Sequence, residues 1–77
     1  MINRSNTVYV DRYKYQNANE LLGEIMRRVS IFCKYSGQAP SNIMMSSKQY
    51  FDIRKFNPNV ISKKGDDYYI LCAKIII

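Results

Sequence analysis

The chain has 77 residues, which allow one domain with a thin core, because a domain of this size buries only about 60% of its unfolded surface. Apolar residues make up 47% of it, which excludes a disordered tail, and no window approaches the ~18 consecutive apolar residues of a membrane span. Twelve Lys and Arg against six Asp and Glu give a net charge of +6, which favours anionic partners, although the same surplus also serves solubility alone.

The first predicted element is a strand. Thr7–Val10 is β-branched and aromatic, and the alternation continues through Asp11–Tyr15. We expect this strand to start buried and to run out to the edge of a sheet. Residues 1–6 before it are predicted to be a lead that is flexible or ordered by assembly.

A helix is predicted next. Asn17 followed by Glu20 is typical of a capping box, and Gly37 supplies a left-handed stop after Ser36. Between them, apolar residues recur at helical spacing, which predicts a buried stripe. The stripe comprises Leu22, Ile25, Met26, Val29, Phe32 and Cys33.

A strand and a second, shorter helix follow the loop at Pro40. Ile43–Met45 is a short predicted strand, and Ser46 or Ser47 can cap a helix from Lys48 to about Phe56. The segment Asn57–Asn59 then ends this helix.

Two further strands complete the prediction. Val60–Lys63 and Tyr68–Ile77 flank Lys64–Asp67, whose Gly and two Asp suit a hairpin loop. The order is β-α-β-α-β-β. It predicts one α+β domain over residues 1–77, with a mixed sheet and helices on one face.

The composition argues against an independent enzyme. The chain has no histidine, and its three glycines stand alone, so the commonest general base and a phosphate-binding loop are missing. Cys33 and Cys72 without histidine do not make a structural zinc site, and we expect both thiols to be reduced and buried in an intracellular, cytoplasmic protein. No cofactor, metal or small-molecule substrate is expected.

The segment Arg12-Tyr13-Lys14-Tyr15 is the first candidate binding site. Cations alternating with aromatics suit single-stranded nucleic acid, because rings stack on bases while cations meet phosphates. The alternative is an edge strand whose cations discourage pairing with other sheets.

The outer face of the first helix is the second candidate. Arg27, Arg28, Lys34 and Tyr35 lie there around Ile31, and interfaces are enriched in aromatics and Arg. The alternative is a solvated face on which Glu24 and Arg28 form an ordinary i, i+4 pair.

The C-terminal strand is the third candidate. Both of its faces are apolar apart from Lys74, and two short helices cover only one face of a small sheet. We therefore expect another subunit or partner to cover the second face. The predicted oligomer interface comprises Tyr68, Ile70, Ile75, Ile76 and Ile77.

The sequence thus predicts a non-enzymatic binding protein. Its abundant Ile, Asn, Lys and Tyr are favoured by AT-rich coding sequence, which is common in phages and other viruses and also in AT-rich bacteria and organelles. Of these sources we favour the viral one and expect a viral accessory protein acting in host cytoplasm or virion. Its target would be nucleic acid or a nucleic-acid-handling host protein; a homo-oligomer or protein partner is expected, and a membrane is not. The alternative is a structural subunit that assembles through the C-terminal strand.

Overall fold

In the computed structural model, which describes residues 6–77, two helices pack against one face of a five-stranded mixed sheet. The predicted α+β class and mixed sheet are confirmed. Of the predicted lead, residues 1–5 lie outside the described residues, while the Asn6 carbonyl accepts a hydrogen bond from the Ser41 N–H at 2.9 Å. The elements are β1 (Thr7–Tyr9), α1 (Ala18–Ser36), β2 (Asn42–Met44), α2 (Ser47–Phe56), a 3₁₀ turn (Pro58–Val60), β3 (Ile61–Lys64), β4 (Asp67–Ile70) and β5 (Ala73–Ile76).

The strand order across the sheet is β1-β2-β5-β4-β3. β1, β2 and β5 run parallel, whereas β4 pairs with β5 and with β3 in the antiparallel sense. The register places Tyr9 beside Met44 and Met44 beside Ile76. β5, the last strand in chain order, therefore lies at the centre of the sheet.

Helix α1 has the predicted caps. The Asn17 side chain accepts from the Glu20 N–H, and Gly37 adopts φ 78° while its N–H donates to the Cys33 carbonyl. Glu20 accepts in turn from the N–H of Gln16 at 2.8 Å, one residue before the N-cap. These contacts fix both ends of the helix.

The buried stripe of α1 is shifted from the predicted one. Leu21, Ile25 and Val29 are its buried residues. Met26 was expected in the core but is 51% exposed, since it lies about 100° round the helix from Ile25. The prediction for Met26 was wrong.

Helix α2 begins with a full capping box. The Ser46 side chain accepts from the Gln49 N–H, and the Gln49 side chain accepts from the Ser46 N–H at 2.8 Å. The Gln49 amide is itself buried, and its Nε2 donates to the Val10 carbonyl at 2.6 Å. One side chain thus joins the start of α2 to the segment that follows β1.

The two faces of the sheet differ. Alternate strand positions turn toward the helices, and all of them but the exposed Lys63 are buried or packed against the core; these are Val8, Ile43, Ile61, Tyr68, Ile70, Ala73 and Ile75. Neither helix covers the opposite face, which we call the open face. It presents Thr7, Tyr9, Asn42, Met44, Ser62, Lys64, Asp67, Tyr69, Lys74 and Ile76.

The first strand is shorter than predicted. It ends at Tyr9, and Asp11 and Arg12 form a turn that the Tyr13 N–H closes on the Val10 carbonyl at 2.9 Å. The alternation out to Tyr15 is therefore not a strand. The second strand is also displaced by one residue, and Met45 is buried beyond its end.

The predicted strand Tyr68–Ile77 is two strands. The chain reverses at Leu71 and Cys72, whose φ angles of 49° and 67° are both left-handed, as a two-residue type I′ hairpin requires. The reversal puts Ala73 and Ile75 on the helix face together with Ile70. It also leaves Cys72 exposed, contrary to the expectation of two buried thiols, while Cys33 is half-buried.

Across residues 6–77, neither helix combines the length and the apolar content that crossing a membrane would require.

Candidate functional site

The carboxyl ends of β1 and β2 border a depression of about 700 Å³. Its lining joins the predicted Arg12–Tyr15 segment to the predicted face of α1, two groups that are separate in sequence. The lining residues are Tyr9, Asp11, Arg12, Tyr13, Lys14, Arg28 and Met44.

Arg28 ties α1 to this depression. Its Nη1 donates to the Tyr9 carbonyl at 2.6 Å, and its guanidinium lies 5.3 Å from the centre of the Tyr13 ring. The Tyr13 hydroxyl donates to Glu20 at 3.4 Å. Desolvation, followed by the neighbouring Glu20 and Glu24 carboxylates, raises the pKa of Tyr13 above its ordinary value.

Glu24 neutralises part of the arginine charge. It accepts from the Arg27 guanidinium at 2.7 Å and from Arg28 Nε at 2.6 Å. These hydrogen bonds lower the pKa of Glu24 to about 2, so the carboxylate stays ionised at neutral pH. Arg27, Arg28 and Glu24 together therefore have a net charge of about +1.

No ion pair within the described residues offsets the charges of Arg12 and Lys14. Both side chains are exposed. They stand on the segment that Gln49 holds through the Val10 carbonyl. Asp11 also lines the depression, but its single negative charge does not balance the two cations, so the rim is positive.

Tyr15 lies apart from the other residues of its predicted segment. Its hydroxyl donates to Asp52 at 2.6 Å, and Lys48 lies 2.9 Å from the same carboxylate and 5.0 Å from the ring centre. The hydrogen bond from Tyr15, followed by that from Lys48, lowers the pKa of Asp52. Tyr15 is thus part of a contact between the start of α1 and α2.

The depression continues onto the open face. Tyr9 is 46% exposed, and the half-buried Met44 and Ile76 follow it in register across the parallel strands. Farther along, the half-buried Tyr69 has the Lys64 ammonium 5.7 Å from its ring centre. We call Tyr9, Met44 and Ile76 the apolar row.

The apolar row was not predicted. The sequence predicted the strand that contains Tyr9, but the neighbours that Tyr9 meets depend on pairing between distant strands. Met44 and Ile76 come together through a parallel register. No short-range sequence signal specifies that register.

Lys34 and Tyr35 belong to a different surface. They lie at the C-terminal end of α1, and seven residues place Tyr35 about 10 Å along the axis from Arg28. Tyr35 is 82% exposed. The predicted helix face is therefore divided between two locations.

The predicted oligomer interface is likewise divided. Ile70 is 1% exposed and belongs to the core, so its assignment to an interface was wrong. The Tyr68 ring packs edge-on against Tyr50 at 5.7 Å, and Ile75 packs on the helix side. Of the five residues, the half-buried Ile76 lies on the open face and Ile77 is exposed.

Comparison with known proteins identifies no relative: no protein-family model, curated protein sequence or solved structure matches this chain significantly.

Proposed function

We propose that this chain is a non-enzymatic, viral-type accessory protein that binds single-stranded nucleic acid on the open face of its sheet. The observation that carries the proposal is the apolar row beside two cations, Arg12 and Lys14, that no ion pair within residues 6–77 neutralises.

The chemistry of the row suits bases. An exposed tyrosine ring stacks on any base, and a flat apolar neighbour extends the contact. Tyr9 supplies the ring at the edge, and Met44 and Ile76 supply the floor. Tyr69, with Lys64 beside it, offers a second ring three strands across and two residues along from Tyr9, at about 16 Å.

The rim suits phosphates. Arg12 and Lys14 lie at the mouth of the depression, and the half-neutralised Arg28 lies behind them. A duplex keeps its bases paired, whereas a single strand can place bases on the row while its backbone meets the rim. Single-stranded RNA or DNA is therefore the ligand class that we propose.

A second copy of the chain fits the open face less well. Five strands at ~4.8 Å and three or four residues per strand give a face of only ~24 by ~12 Å, well below the ~800 Å² per partner of a stable interface. Two chains of charge +6 also repel each other. Assembly through Ile76 and Ile77 is the alternative outcome of the test.

The test is fluorescence anisotropy with a labelled oligo-dT of about 12 nucleotides, within the range of site sizes of small sheet domains. We expect the double variant Arg12→Ser/Lys14→Ser to bind at least about tenfold more weakly. Because each lost phosphate contact removes ~0.7 from the slope of log K against log salt, the slope should become shallower by about 1.4.

The matched control is Arg54→Ser/Lys55→Ser, which removes the same charge from α2, on the other side of the sheet. It should lose much less affinity and keep its slope. Equal losses of affinity in both double variants would mean that binding depends only on the net charge of the protein, which would contradict the proposal. A chain that binds no oligonucleotide but elutes as an oligomer dispersed by Ile76→Asp would favour the assembly alternative instead.

A further inference from the structure

A second exposed surface lies on the C-terminal half of α1. Ile31, Phe32, Tyr35, Ser36 and Gln38 line a shallow depression of about 610 Å³ there. Phe32 is half-buried against the core and forms its floor, while Ile31 and Tyr35 form its exposed walls. We call this surface the helix patch.

The helix patch differs in chemistry from the open face. Its depression is formed by apolar side chains of a single helix, Ile31, Phe32 and Tyr35, onto which the apolar face of a partner helix can pack, whereas the open face is the flat surface of a sheet. Tyr35 is 82% exposed, and tyrosine is one of the residues enriched among the anchors of protein–protein contacts. These features favour a protein partner over nucleic acid.

The charges around the helix patch determine the kind of protein. From Met26 to Ser36, the helix carries Arg27, Arg28 and Lys34 and no acidic residue. Glu24, one turn earlier, offsets only one of these three cations. Lys34 forms no ion pair with any residue of the described chain, 6–77.

We propose that the helix patch binds an acidic amphipathic segment of another protein. An aromatic or leucine side chain of the segment would fill the depression between Ile31 and Tyr35, and its carboxylates would meet Lys34 and Arg27. A second copy of this chain is disfavoured as the partner, because the cations of its helix patch would face, and repel, the same cations on the first copy. This inference is independent of the nucleic-acid proposal.

The experiment is a titration of the ¹⁵N-labelled protein with a synthetic helical peptide of about 15 residues, which spans about four turns, with Leu and Phe on one face and Glu on the other. A peptide with Lys in place of every Glu is the charge control. We expect saturable shifts at Ile31, Lys34 and Tyr35 with the acidic peptide. The basic peptide should give none.

Two variants test the contact itself. Tyr35→Ser should weaken binding of the acidic peptide at least about tenfold, since one anchor residue commonly contributes more than that. Phe51→Ser is the matched control, because it removes a 61% exposed aromatic from α2 instead. It should leave the affinity unchanged, and both variants should keep the oligo-dT affinity of the parent.

Three results would overturn the inference. They are equal binding of the acidic and basic peptides, equal losses in the two variants, or shifts at the helix patch that appear with oligo-dT rather than with the peptide. Concentration-dependent shifts at Tyr35 in the protein alone would assign the helix patch to self-association instead.

Discussion

The β3–β4 and β4–β5 hairpins lie side by side in one sheet and reverse the chain through two residues each. The first turn uses Gly65 and Asp66, and only the glycine has positive φ, at 62°. The second uses Leu71 and Cys72, which both adopt left-handed conformations. Glycine occupies that region freely, whereas other residues lose about 1–2 kcal/mol each there.

The two hairpins show that a turn can be favoured by its own residues or imposed by the strands that it joins. Gly65–Asp66 is favoured by its own residues, so that hairpin is encoded locally. Leu71–Cys72 is disfavoured by its own residues and therefore depends on the strands it joins. Ile70 and Ala73, which flank it and pair with each other, are both buried in the core.

The largest expected effect comes from removing that packing. Ile70→Ala deletes a fully buried side chain next to the strained turn and should lower the free energy of unfolding by about 3 kcal/mol. The total is only about 4–12 kcal/mol for a chain of this length. Ile61→Ala, at the paired but half-buried position in β3, should cost about 1 kcal/mol in the same urea titrations. Equal losses would mean that the second turn does not depend on Ile70.

The segment after β1 is a further turn held from a distance. Gln49→Leu should cost about 2 kcal/mol, because it leaves the Ser46 N–H without its partner and removes one of the two hydrogen bonds that the Val10 carbonyl accepts. Gln49→Glu keeps an acceptor for Ser46 but at neutral pH sets a buried carboxylate against the Val10 carbonyl, so it should recover part of the loss only as the pH falls and the carboxyl is protonated. Thermal unfolding of the two variants measures how the stabilisation by Gln49 divides between its hydrogen bonds to Ser46 and to Val10. Unchanged thermal stability in Gln49→Leu would show that the turn after β1 does not depend on Gln49.

Relieving the strained turn should stabilise the protein. Leu71→Asn/Cys72→Gly places a favoured type I′ pair where both φ angles are positive, and the free energy of unfolding should rise by about 2 kcal/mol. Leu71 and Cys72 are exposed, so little packing is lost. The same urea titration applies. A loss of stability would show that these side chains make contacts that outweigh the backbone strain.

The smallest effect is expected at the locally encoded turn. Gly65→Ala forces a Cβ into φ 62° and should cost about 1 kcal/mol through the backbone alone, since no atom lies within 4 Å of the added carbon. Gly23→Ala is its control, because it lies within α1 with equally open space and should gain up to about 1 kcal/mol. A gain at both positions would remove the contrast between the two hairpins.

The same distinction explains what the sequence could predict. The ends of α1, the Ser46 cap and the Gly65 turn depend on residues a few positions apart, and all three were predicted correctly. The turn at Leu71–Cys72 carries no turn residue, so an apolar run of ten residues was interpreted as one strand. In one continuous strand, Ala73 and Ile75 would lie on the face opposite Ile70, whereas the reversal places all three on the helix face.

The candidate site divides in the same way. Arg12, Lys14 and Arg28 were identified from local patterns of charge and aromatics. The apolar row was not, because Tyr9, Met44 and Ile76 meet only through parallel pairing of strands that are more than thirty residues apart in the chain. Contacts of that range have no local signature.

The central place of β5 has a kinetic consequence. β1 and β2 form one part of the sheet and β3 and β4 another, and residues 73–76 are the strand that pairs with both. The two parts cannot share a sheet until this segment has been synthesised, so we expect folding during translation to stop at the helices and the β3–β4 hairpin. Because loop closure over such distances is slow, the joining of β5 to β2 should limit the folding rate.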